Sequence, residues 1–353
     1  MKSSAKQNLP PGTLVYTGRH HHVTPEMTMI AFSAERYVKQ HIESIEAIQQ
    51  FDGVKWLNLT GLSDLETIRK IGDFYGIDPM ILEDIVHVEQ RTKIEISENY
   101  LFGVFKMIYT RTDMQEVVQE NDYHFNHEHI SFLLMPSLLI TFQEEPGDVF
   151  DGVRERLADE NGRIRTRGAD YLFYALVDAL VDHQMEAMLT LQNDIDSLEA
   201  SIVEDEIGKM EPLYHLRKSL LILKSGAMPL QETLTRLIAQ DTALLSPMTR
   251  TYFKDVIDHA AHLSDRIMMY REVVTSLFDM HQTNVSNRMN RVMTTLTFFS
   301  AIFIPLSFLA GFFGMNFEVF PSLHYPYAVP VFIGSCVGIA LLMLGFFKWK
   351  DWF

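Results

Sequence analysis

Phe312-Phe313-Gly314-Met315-Asn316-Phe317 is wedged between two long apolar runs near the C-terminal end of the chain. From Val292 to Phe317 there is no charged side chain, and from Val319 to Phe347 there is none again. A run of about 20 apolar residues at 1.5 Å rise spans a hydrocarbon core roughly 30 Å thick. Residues 293–313 and 327–347 therefore read as two transmembrane helices joined by a short loop, 314–326, with Gly-Met-Asn at the end of the first. A polar amide in that position belongs at the membrane surface. Everything upstream is polar enough for water, so the pattern describes a large soluble body delivered onto a short helical hairpin.

Charge placement orients the hairpin. Arg288 and Arg291 precede the first span, Lys348 and Lys350 follow the second, and the loop carries only Glu318. The positive-inside rule then puts both ends in the cytoplasm of an inner (cell) membrane protein. The opening Met-Lys-Ser-Ser-Ala-Lys has no apolar core, so no signal peptide is expected. The single cysteine, Cys336, lies in the second apolar run, which leaves no intrachain disulfide. A formal charge of −16 over 353 residues disfavours nucleic acid as a partner and favours cations.

Upstream, residues 1–168 read as a cytosolic α/β domain. Strand-like runs are expected at Thr13–Thr17, Met27–Phe32, Val54–Thr60, Tyr100–Thr110, Ile130–Met135 and Leu138–Phe142. Helices are expected at Ser63–Tyr75, capped by Ser63, at Asp78–Val88, with Pro79 in its first turn, and at Asp148–Asp159. Gly162 and Gly168 bracket a basic linker where the domain ends. Residues 169–291 read as a stalk of long helices: one from Ala169 to about Glu206, a second over Leu213–Leu245 faltering at Gly226 and Pro229, and a third from Pro247. Val256, Ala260, Leu263, Ile267, Tyr270, Val274 and Leu277 step by fours and threes, a heptad seam. One helix from Ser246 to Phe313 would be about 100 Å long and would cross from water into the membrane. Residues 292–353 complete the chain as the hairpin and a short tail.

A lone Gly-Met-Asn is weak: Gly314 could end a helix and Asn316 could turn the chain. Its place after a membrane helix continuous with a long cytosolic seam is more telling. With Phe317-Glu318, Asn290-Arg-Val-Met293-Thr-Thr-Leu296, Ile304-Pro305-Leu306, Leu82-Glu83-Asp84-Ile85, Gln90-Arg91, Pro10-Pro11-Gly12 and Gly147-Asp148-Val149-Phe150-Asp151, the chain resembles the CorA magnesium/cobalt channels over nearly its full length. The resemblance implies a homopentameric funnel in the bilayer whose first membrane helix lines the pore. Three departures stand out. Phe313 takes a place often held by Tyr, Pro321-Ser322 lacks the common acid, and the Lys348-Trp349-Lys350 tail is less basic than in many members.

Mg2+ holds its octahedral waters tightly, so a filter should accept hydrogen bonds from the hydrate. A ring of Asn316 carboxamides would do so, with Gly314 and Met315 in the same motif and Gly314 letting the backbone approach the axis. Asn290, Met293, Leu296, Ser300, Ile304, Ser307 and Gly311 recur at helical spacing as a candidate pore stripe. Met293 and Leu296 would form an apolar constriction closing by dewetting. Ordinary helix packing is the competing reading for Ser307 and Gly311, and the preferred one for Gly334 and Gly338.

The resemblance also implies a regulatory divalent ion held between subunits by Asp84 and Asp255, with Glu83 and Asp178 as further acids and His259 as an accessory ligand. The clusters His20-His21-His22 and His124, His127, His129 suit transition metals but match no family site, and are expected at the surface. The leading function is gated, potential-driven influx of hydrated Mg2+, with Co2+ and Ni2+ admitted. A zinc transporter of the same architecture and a non-conducting membrane-anchored sensor are the alternatives. No phosphate-binding glycine loop, His-Glu-x-x-His motif or nucleophile elbow is present, so neither an enzyme nor a nucleotide partner is expected.

Overall fold

The computed structural model describes residues 9–110, 125–203, 210–315 and 326–350. The chain divides into two compact units, one of Met1–Glu204 with Gly208–Leu277 and one of Asp205–Ile207 with Phe278–Phe353.

Among the described residues of the first unit, seven strands form one sheet: β1 Glu26–Phe32, β2 Tyr37–His41, β3 Val54–Thr60, β4 Lys93–Ile96, β5 Leu101–Thr110, β6 Phe125–Met135 and β7 Leu138–Gln143. Their order is β2-β1-β3-β7-β6-β5-β4. Every neighbouring pair is antiparallel except β3 and β7, which run parallel with Lys55 opposite Leu138. Alternation along each strand sends Met29, Leu57, Phe102 and Ile140 to one face and Ile30, Trp56, Phe105 and Leu139 to the other.

The first face is covered by α1 Leu65–Tyr75 and α2 Pro79–Val86, through Ile68, Ile71, Leu82 and Ile85. The second is covered by α3 Asp151–Ala158 and the start of α4 Ala169–Val203, through Val153, Leu157, Leu172, Phe173 and Leu176. Leu230 and Leu234 of α5 Glu211–Ala239 and Phe253 and Val256 of α6 Pro247–Phe313 join that second core. The sheet is thus buried on both faces, as the apolar runs of β5, β6 and β7 require.

Several expectations are corrected. Asp64, not Ser63, caps α1: its carboxylate accepts the amides of Glu66 and Thr67, and an ionised acceptor at a helix N-terminus outcompetes a neutral hydroxyl. Residues 13–17 form no strand. This segment docks on α2, where Thr17 N–H donates to Val86 O at 3.2 Å and Thr17 Oγ1 accepts Val88 N–H at 3.1 Å. β2 and β4, the edge strands, were not anticipated. α5 runs unbroken through Gly226 and Pro229. A Cβ on Gly226 would stand 2.9 Å from Ile108 Cδ1 and 3.2 Å from Gln184 Nε2, so that glycine serves close packing on β5 and α4. In the basic segment after Gly162, Ile164 and Arg165 are buried, and Arg165 Nε donates to Ser33 O at 3.1 Å.

The seam residues Val256, Ala260, Leu263, Ile267, Tyr270, Val274 and Leu277 are all buried. α6 continues as one helix of 67 residues. In the second unit its C-terminal part meets α7 Ala328–Trp349.

Candidate functional site

The second unit turns its apolar side chains outward. The most apolar 18-residue stretches of α6 and α7 contain no buried residue, so neither stretch packs as the core of its own unit. Leu296, Ile304, Phe308 and Leu342 are 66%, 67%, 70% and 75% exposed, a surface that only a lipid or protein partner could cover. The two helices meet through aromatic rings, Phe298 with Phe347 at 4.8 Å and Phe313 with Phe332 at 5.5 Å between centroids.

That contact orients α6. Asn290, Met293, Leu296, Ser300, Ile304, Ser307 and Gly311 are all exposed, and at about 100° per residue they fall on the side facing away from Phe298 and Phe313. The sequence stripe is therefore one continuous face that α7 leaves free. At its end Gly314 N–H donates to Ala310 O at 2.9 Å, which carries the helical turn up to the motif, and Met315 N–H reaches Phe312 O at 3.4 Å. Gly314 and Met315 are exposed, while Asn316 lies outside the described residues.

In the first unit, the four acids expected at the regulatory site occupy different surroundings. Glu83 on α2 accepts the Gly12 amide at 2.5 Å through Oε2, tying down the N-terminal segment. Asp84 beside it accepts from the Gln90 amide through Oδ1 and from Lys93 Nζ at 2.6 Å through Oδ2. Burial pulls the Lys93 ammonium down, but its bonds to Asp84 and Glu95 hold its pKa above the ordinary lysine value. Asp255 on α6 is exposed, with Oδ1 at 3.9 Å from His259 Nε2.

Asp178 on α4 joins His259 and a residue the sequence reading missed, Asp182. One ligand-type atom from each lies within 4.8 Å of the others, and among the described residues they form the group suited to a metal ion. Asp182 stands one helical turn after Asp178, and that i, i+4 pair of acids was the signal available in the sequence. Burial, then the Asp182 charge, pushes the Asp178 carboxyl up to about 6. His259 Nδ1 is buried without a hydrogen-bond partner. Two acids that repel, and an imidazole with an idle nitrogen, fit a divalent cation of the transition series better than they fit each other. Glu83 and Asp84 do not belong to this group.

The histidine clusters divide. His21 and His22 are exposed and His20 is half-buried, with Nε2 at 2.9 Å from Glu145 Oε1. His129, expected at the surface, is instead 1% exposed, with Nε2 at 2.8 Å from Ser131 Oγ. It alternates inward along β6 under α2, where the pleat and not polarity decides its side. His127 is exposed, and His124 lies outside the described residues.

An α/β body, a long helix running from it into an apolar hairpin, and divalent-type donor groups on the body together define a membrane protein of the metal-transporter class. Residues 51–349 match the family model described as CorA-like Mg2+ transporter protein, and the chain belongs to that family. It is 37% identical to the cobalt/magnesium transport protein CorA of Thermotoga maritima, over 99% of this chain and 98% of that one. It is 30% identical to the putative metal ion transporter YfjQ of Bacillus subtilis, over 93% and 98%. The complete structure of the CorA magnesium transporter from Methanocaldococcus jannaschii superposes with a TM-score of 0.75 at 20% identity, covering 94% of this chain and 100% of that one. Membership makes the protein a transporter with C-terminal spanning helices and not an enzyme.

Proposed function

We propose that the chain assembles as a homopentamer and conducts hydrated Mg2+, with Co2+ and Ni2+ admitted, inward across the cell membrane with both termini in the cytoplasm. The observation that carries this reading is the face of α6 from Asn290 to Gly311, which α7 leaves uncovered and which ends at Gly314-Met315. In a ring of subunits that face lines the axis. Asn290, Ser300 and Ser307 give it polar rungs, and Met293 and Leu296 give an apolar constriction that closes by dewetting. Asn316 then follows at the outer mouth and accepts hydrogen bonds from the ion's waters.

Two charges moving inward gain roughly 4–5 kcal/mol per 100 mV, so the membrane potential alone drives uptake. On the cytosolic side, Asp84 and Glu83 of one subunit and Asp255 and Asp178 of the next hold a divalent ion that favours the closed ring. Because α6 carries both Asp255 and Met293, a shift at the acids is transmitted along one helix. The ion moves the equilibrium only by its difference in affinity between the two states, and several sites together supply the few kcal/mol of a gate.

Ion flux into liposomes holding purified protein, under competition between Mg2+, Co2+ and Zn2+, tests the reading. Saturable Mg2+ influx that follows the potential supports it. Flux of Zn2+ alone would favour a zinc transporter, which Met315 in the motif argues against, and no flux of any ion would leave a membrane-anchored sensor. Asn316→Ala should abolish uptake from a folded oligomer. Asp255→Lys should weaken Mg2+ protection of the soluble unit against protease, and unaltered protection would remove the sensor role but not the channel.

A further inference from the structure

Asp84, one of the acids assigned to the regulatory site, has both carboxylate oxygens engaged within its own subunit. The Gln90 amide donates to Oδ1, and Lys93 Nζ donates to Oδ2 at 2.6 Å. The carboxylate is 14% exposed and the ammonium 30%, so solvent screens their attraction only in part. Lys93 Nζ also lies 2.5 Å from Glu95 Oε1, and Glu95 is 49% exposed. Lys93 and Glu95 share β4, an edge strand of the sheet, and stand on the same side of it two residues apart. One lysine is therefore poised between two carboxylates: the half-buried one assigned to the divalent ion and a second facing water.

We propose that Lys93 is a tethered competitor for the divalent ion at Asp84 and sets the concentration at which the sensor responds, with Glu95 as the seat to which its ammonium withdraws when the ion binds. This rests on the reading of Asp84 as a regulatory ligand. An ammonium is a compact, strongly hydrated charge on a flexible stem, so it can move between oxygens without backbone change. Even with the dielectric of bulk water, a single and a double positive charge about 5 Å apart repel enough to shift a binding midpoint by about tenfold. The competitor thus holds the sensor off at low Mg2+ and yields only as the ion approaches its working concentration.

The test is a Mg2+ titration of protease protection on the full-length protein in detergent, with oligomeric state and helical content checked for each variant. Lys93→Met, which keeps the apolar stem, should lower the protection midpoint by about tenfold, and Lys93→Gln should do the same. Lys93→Arg keeps the charge and should not lower it. Glu95→Gln removes the alternative seat and should raise it. A midpoint unmoved in both Lys93→Met and Lys93→Gln, while Asp84→Asn moves it, would overturn the competitor and leave the sensor reading standing. A midpoint unmoved in Asp84→Asn removes that reading, and the competitor with it. An equal fall in Lys70→Met, which removes a cation paired with Glu66 on α1, would reduce the effect to net charge and also overturn the proposal.

Discussion

Asp170, in the first turn of α4, accepts a 2.6 Å hydrogen bond from the Thr249 hydroxyl in the first turn of α6. The same carboxylate oxygen accepts the Ser246 amide at 3.0 Å, and Ser246 Oγ in turn accepts Thr249 N–H at 3.2 Å. One acid thus fixes the root of the helix that later enters the membrane. Burial raises the Asp170 carboxyl, but the bonds from Thr249 and Ser246 more than offset this and hold its pKa below the ordinary value. Asp170→Ala should cost about 1–3 kcal/mol and lower the unfolding temperature by several degrees. Asp170 lends stability above the usual carboxyl range that is lost as pH falls through its lowered pKa. The variant should therefore show a flatter acid limb, read by thermal melts across pH.

His129 gives a pH dependence of its own. Burial, then Lys106 on β5 and His87 beyond α2, pushes its imidazole down to about 3, with the Ile85 backbone acting the other way. The unfolded chain takes up this proton below about 6.5 and the folded chain does not until about 3, so stability falls progressively as pH drops between them. Glu128 and Glu144, both pushed up by burial, titrate in the opposite sense and blunt the net curve. The comparison is therefore wild type against His129→Gln, whose melting temperature should fall less between pH 6.5 and 4. Coincident curves would show that His129 is not the linked group.

The Asp178, Asp182 and His259 group should separate metals by softness. Imidazole favours Co2+ and Ni2+ over Mg2+, so His259→Ala should reduce the thermal shift given by Co2+ far more than that given by Mg2+. Asp178→Asn should reduce both and also relieve the repulsion with Asp182, raising the melting temperature of metal-free protein. Equal losses for the two metals in His259→Ala would remove the imidazole from the ligand set.

Gly53 tests the turn into β3. Its φ is +86°, and a Cβ there would lie 2.5 Å from the Phe32 carbonyl oxygen, a backbone atom that cannot move aside. Gly53→Ala should cost about 1–3 kcal/mol, seen as a lowered melting temperature. A melting temperature equal to wild type would mean that the β1–β3 ladder adjusts more readily than its full register suggests.

Long periodic elements were the most legible. The seam from Val256 to Leu277 is buried at every position, because a heptad repeat over several turns leaves little choice of face. β3 matches its expected bounds, and the residues spaced from Asn290 to Gly311 lie on a single exposed face of α6. Short polar elements were hidden: β2, Tyr-Val-Lys-Gln-His, pairs on one side only and carries no apolar alternation. The i, i+4 spacing of Asp178 and Asp182 is visible along α4, but their grouping with His259 is not, because that residue comes from another helix. The burial of His129 and the ammonium seated on Asp84 are tertiary facts of the same kind.

The parallel pairing of β3 with β7 also bears on how the protein is made. Lys55 must await Leu138, so the centre of the sheet cannot close until β7 has left the ribosome. The first apolar span begins at Met293, far downstream. At about 5–20 residues per second, roughly eight to thirty seconds separate completion of the sheet from synthesis of that span. The sheet can therefore assemble before the insertion machinery meets the first apolar span, and a slow-closing sheet would expose both apolar faces at the moment of membrane targeting.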